Sequence, residues 1–129
     1  MTPIEIVAVD ERDSGWERHD PRFRVYLQGG SMHAGREWTG GTTATFDVTG
    51  ADLLQVIDWA ERTAAGRSTY AIALVVDEAD GGRGLIWLVG LDGNDLSPEE
   101  PAWVDAQRRM LARRQHPVVV GDADRMPDS

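Results

Sequence analysis

A chain of 129 residues, 41 % of them hydrophobic, carries enough apolar material for one core and falls short of two domains of usual size. Its formal charge of −9 speaks against nucleic acid and against anionic membrane surfaces, both of which need a basic face, and favours a basic partner. The absence of cysteine and of lysine excludes disulfides, thiolate metal sites, cysteine nucleophiles, Schiff-base chemistry and a phosphate-loop lysine.

No run of about 18 apolar residues is present, and MTPIEIVAVDERD lacks the basic start and long apolar stretch of a secretory signal. A soluble, cytoplasmic protein is therefore expected, with residues 1–121 as one globular domain and 122–129 as a disordered acidic tail. Ile4–Val9, IEIVAV, reads as a first strand rich in β-branched residues. RFRVYLQ follows the charged stretch 10–21 and alternates, with Phe23, Val25 and Leu27 on one face and Arg24, Tyr26 and Gln28 on the other. Thr43–Val48 alternates as well, grouping Ala44, Phe46 and Val48, and Trp38 shares that parity if the strand begins near Arg36.

The segment between these two strands holds five glycines. As a turn, Gly29, Gly30 and Gly35 supply positions of positive φ, and Gly40 and Gly41 allow a bulge. As a site, Ser31, His33 and Glu37 are a candidate nucleophile, base and orienting carboxylate on a loop held by a rigid sheet. The turn is the preferred reading, because no G-x-S-x-G elbow lifts the serine.

ADLLQVIDWAERTA is the clearest helix, with Thr49 as its expected N-cap and Asp52 at the positive end of the dipole. Leu53, Leu54, Val56, Ile57, Ala60 and Ala64 form its apolar arc. Trp59 falls among Asp52, Gln55, Arg62 and Thr63 on the polar side. Either a neighbouring loop or the second helix covers it, or Trp59, with Asp52, Gln55 and Arg62, forms a partner-binding anchor.

STYAIALVV and GLIWLVG, joined by DEADGGRG, read as central antiparallel neighbours, with Trp87 in the core. A second helix is expected from about Pro101 to Gln115 and carries Arg108, Arg109, Arg113 and Arg114 against Asp105. That segment is basic on an acidic body, and the arginines near its end suit the negative helix terminus. PVVVG adds at most a short edge strand.

No metal or cofactor is expected. Asp92, Asn94 and Asp95 lack EF-hand spacing, as do Asp77, Glu78 and Asp80, and His19, His33 and His116 are scattered. GGRG at 81–84 leads from strand to strand without the helix N-terminus that holds a dinucleotide phosphate.

The run DLLQVIDWAERTAAGRSTYAIALVV followed by GLIWLVGLDG resembles a pattern of small actinobacterial α+β proteins and covers about the middle third of the chain. The resemblance implies no activity. The expected fold is α+β, an antiparallel sheet with two helices in the order β-β-β-α-β-β-α. The expected function is protein binding without catalysis, an acidic surface meeting a basic protein, as in a toxin-neutralising immunity protein. The alternative is a small hydrolase or ligand-binding enzyme using Ser31, His33 and Glu37. Association of identical copies through an uncovered sheet face is a third option.

Overall fold

A computed structural model describes residues 3–10, 12, 14–29, 43–64, 68–90, 105, 108–110 and 112–127. Four strands form one antiparallel sheet: β1 (Arg22–Gly29), β2 (Thr43–Thr49), β3 (Ser68–Asp77) and β4 (Arg83–Val89). Their spatial order is β2-β1-β3-β4. The helix α1 (Leu53–Ala64) crosses from β2 to β3, and residues 105, 108–110 and 112–113 belong to a second, short helix. The expected α+β class, an antiparallel sheet with two helices, is what the chain adopts.

Alternation decides which side of each strand meets α1. Val25 stands opposite Phe46 on β2 and Ile72 on β3, so Phe23, Val25 and Leu27 share a face with Tyr70, Ile72 and Leu74. Val56, Trp59, Ala60 and Ala64 of α1 close over that face, and Met110 adds a side chain from the second helix. Val25, Val56 and Ile72 are completely buried. The sulfur of Met110 also accepts the Tyr70 backbone N–H at 3.4 Å, tying the second helix to the sheet by an atom as well as by area.

The sequence misplaces the cap of α1. Asp52, and not Thr49, is the N-cap. Its Oδ1 accepts the Gln55 N–H at 2.9 Å while Gln55 Oε1 accepts the Asp52 N–H at 2.8 Å, a reciprocal capping box. β3 and β4 form the expected hairpin, closed by the Glu78 N–H to Gly82 O bond of 2.7 Å, with Gly81 at φ 92°. Gly90, just past β4, has φ 76°, and a Cβ there would meet Ala71 Cβ and Tyr70 O at 3.1 Å. Only glycine satisfies both conditions without strain.

The strand expectations for two segments outside the sheet fail. Ile4–Val9 is no strand: Ile4 and Ile6 are more than nine-tenths exposed, and Val7 and Val9 are 71 % and 77 % exposed. β-branched residues favour an extended backbone, but a strand exists only where a neighbour supplies its hydrogen bonds, and the described sheet offers this segment none. Among the described residues the element order is accordingly β-β-α-β-β ahead of the second helix. PVVVG does not join the sheet either; it runs along α1, where the Val118 N–H donates to Glu61 Oε2 at 3.1 Å.

The acidic end of the chain is not a loose tail as far as Pro127. Asp122–Asp124 forms a turn of 3-10 helix. Gln55 Nε2 donates to the Asp124 carbonyl at 2.7 Å, Arg62 donates to the Met126 carbonyl at 3.2 Å, and Met126 packs on the core. α1 therefore lies between the sheet on one side and the C-terminal segment on the other.

Candidate interaction surface

The four residues grouped on the polar side of α1 turn out to be structural. Trp59 is 3 % exposed and meets Phe46 edge-on, with ring centroids 5.5 Å apart. It presents no surface to a partner, which corrects the expectation that it anchors one. Asp52 and Gln55 are committed to the capping box, and Gln55 and Arg62 hold the C-terminal segment. Asp58, 2 % exposed, is a buried carboxylate whose charge is met by Arg62 at 3.1 Å, one helical turn on. The missed signal was available: Val56, Trp59 and Ala60 stand at the i, i+3, i+4 spacing of a helix stripe, so Trp59 extends the buried arc. What covers its other side was not legible.

Ser31, His33 and Glu37 lie outside the described residues, as do Trp38 and the glycines that follow it. Among the described residues no three His, Asp or Glu side chains come together as metal ligands. Gln28, at the end of β1, accepts the Thr69 hydroxyl at 3.3 Å, and its Nε2 is buried with no hydrogen-bond partner among the described residues.

The sheet face away from α1 divides by strand. β2 shows it Thr45, Asp47 and Thr49, and β1 shows it Arg22, Arg24 and Tyr26. Arg24 holds Asp47 through two hydrogen bonds of 2.7 and 3.1 Å, and Arg22 approaches the same carboxylate at 3.2 Å. These bonds keep the Asp47 carboxyl below its ordinary range and raise Arg24 above its own. β3 contributes the small residues Ala71 and Ala73, and over them Trp87 of β4 packs against Tyr26 with ring centroids 5.2 Å apart. Trp87 is thus half-buried on the far face, not inside the core as expected.

A groove of about 450 Å³ runs between Trp16–Arg22 and the end of β3, and Leu74, Val76 and Asp77 line it. Its size suits a small molecule. Its charges, however, are already matched: Arg18 with Asp20, Arg22 with Asp47 and Arg83 with Asp77. Arg22 Nε, although close to Asp47, is buried with no hydrogen-bond partner among the described residues.

Large apolar side chains meet water elsewhere, among them Leu53 and Leu54 at the start of α1 and two further groups. One is the arm Ile4–Val9. The other is β4, an edge strand of the described sheet, where Ile86 is 54 % and Leu88 39 % exposed. An exposed apolar edge is a template for strand pairing that soluble proteins ordinarily cover or charge. Around these features the exposed surface is acidic, with Glu5, Glu17, Glu78, Asp80 and Asp124, while most described arginines are engaged by carboxylates, including Arg12 by Asp10 and Arg109 by Asp105. No described helix is long and apolar enough to cross a membrane. Comparison with family models, with curated proteins and with solved structures gives no match.

Proposed function

We propose that this chain is a protein-interaction module without catalytic activity, acting in the cytoplasm, that recognises other chains through strand-forming apolar segments on an acidic body. The observation that carries the reading is the arm Ile4–Val9, whose four β-branched side chains, Ile4, Ile6, Val7 and Val9, stand in solvent. The charge of −9 favours a basic protein among possible partners and would steer its approach. A toxin-neutralising immunity protein is one form this takes. The surface it would use is the exposed arm and β4, since Trp59 is buried.

The test compares wild type with Ile4→Ser/Ile6→Ser in capture from the source cell's lysate, identifying bound proteins by mass spectrometry at low and high salt. A basic protein held by wild type, released by salt and lost with the double substitution is the expected result. Capture that is unchanged by the double substitution would remove the arm from the interface and end this reading.

A further inference from the structure

The groove between residues 16–22 and the end of β3 exists because two neighbouring strands stop at different points. β1 pairs with β3 only as far as Phe23 with Leu74, whereas β3 runs on to Asp77 beside β4. The same register carried further would set Pro21 opposite Val76, and proline has no N–H to give to a ladder. The chain ahead of β1 passes residues 75–77 without pairing and leaves a space of about 450 Å³.

Its walls differ in kind. Leu74 and Val76 are apolar, and Trp16, 76 % exposed, stands with them as an indole left in water. Arg22 and Arg18 form the polar side. Arg22 keeps 30 % of its side chain exposed, and its hold on Asp47 is the weaker of two: Arg24 bonds both oxygens of that carboxylate, while Arg22 Nε lies 3.2 Å from one of them without a hydrogen bond. Arg18 is 3.8 Å from Asp20, beyond hydrogen-bond distance.

Taken in pairs these charges match only because Asp47 serves both Arg22 and Arg24. Arg18, Arg22, Arg24 and Arg83 stand against Asp20, Asp47 and Asp77, so four cations meet three anions. Glu17, although between two lining residues in sequence, lies by His19 and is not part of the wall, and neither is Glu78. The cations act together: the Asp77 carboxyl is held below its ordinary range first by its bond to Arg83 and then, at longer range, by Arg22 and Arg18. On a chain of charge −9 the groove thus has a local excess of one positive charge. More distant charges are screened beyond about 8 Å at physiological ionic strength, so a ligand in the groove meets the local excess.

We propose that the groove binds a small organic monoanion, with its carboxylate at Arg22 and Arg18 and an aromatic or branched aliphatic body against Trp16, Leu74 and Val76. A single excess charge suits a carboxylate better than a phosphate dianion, and a guanidinium, with its five N–H donors, offers a carboxylate two at once. The apolar body follows from the indole and the two aliphatic side chains, whose burial supplies the affinity that one exposed ion pair lacks. None of the lining residues belongs to the arm or to β4, so the site stands independently of the interaction reading.

Titration calorimetry with 2-naphthylacetate, its neutral amide and acetate tests the proposal. The acid is expected to bind one to one and the amide about tenfold more weakly, through loss of the charge-assisted contact, while acetate, without a ring, gives no measurable heat. Arg22→Gln removes the difference between acid and amide. Trp16→Ser weakens both by about tenfold. Ile4→Ser/Ile6→Ser changes neither. No saturable heat with the acid at millimolar concentration, equal binding of acid and amide to wild type, or an acid affinity unchanged in both Arg22→Gln and Trp16→Ser would overturn the proposal. Loss of binding in Ile4→Ser/Ile6→Ser would put the acid on the arm and overturn it as well. Urea denaturation checks that each variant is folded; should Arg22→Gln not be, Trp16→Ser, at an exposed position, decides together with the comparison of acid and amide in wild type.

Discussion

Trp59 of α1 and Phe46 of β2 meet edge to face, with ring planes 81° apart, so the largest side chain of the helix is bound to an edge strand of the sheet. The pair joins the helix to a part of the sheet that carries few other large apolar groups, since Ala44 and Thr45 beside it are exposed. Trp59→Ala removes a buried indole and is expected to cost about 3 to 5 kcal/mol. Urea denaturation checks this: a loss below about 1 kcal/mol would show that Trp59 contributes little to the core. Capture of partners by the folded fraction is expected to be unchanged.

The C-terminal segment is expected to behave as part of the fold. Ending the chain after Gly121 removes the bonds from Gln55 to Asp124 and from Arg62 to Met126, together with the packing of Met126. The expected loss is roughly 2 to 4 kcal/mol, read as a fall in the denaturation midpoint without a change of fold. An unchanged midpoint would mean that these residues are the loose acidic tail that their composition suggests.

Glu61 joins three elements, because Oε1 accepts the Tyr70 hydroxyl at 3.0 Å and Oε2 accepts the Val118 N–H. Burial, reinforced by the Glu61 carboxylate, pushes the Tyr70 phenol well above its ordinary value of 10.0. A proton that the native state holds and the unfolded chain releases contributes stability that is fully present below pH 10 and is lost as pH rises beyond it. Absorbance titration should therefore show Tyr70 ionising later than an ordinary phenol, with stability falling along that limb. In Glu61→Ala the Tyr70 midpoint moves down, and stability at neutral pH drops by about 1 to 3 kcal/mol as a buried hydroxyl loses its acceptor.

Gly90→Ala tests the exit of β4. Positive φ and the 3.1 Å approach to Ala71 Cβ and Tyr70 O act together, so a methyl group there is expected to cost more than the roughly 1 kcal/mol of a simple left-handed glycine. Gly81→Ala, at φ 92° with open space around it, is the milder control. Equal losses in the two variants would show that the contact with β3 is slack.

By itself the sequence determined much of what depends on local period and composition. Phe23, Val25 and Leu27 announce their buried face by alternation, the β3–β4 hairpin by its glycines, and α1 by its apolar stripe. The missing cysteine and lysine restrict the chemistry whatever the fold. Tertiary structure decided who stands beside whom. Ile4–Val9 has the composition of a strand yet no hydrogen-bonding neighbour in the described sheet; STYAIALVV and GLIWLVG look alike, yet one is central and the other an edge. Trp59 falls among polar neighbours on a helical wheel, and it is buried because β2, brought beside the helix by the fold, sets Phe46 edge-on against it. Backbone preference and side-chain period act over a few residues and are written locally, whereas pairing and burial are contacts between distant segments, settled only when the whole chain has found which surfaces fit.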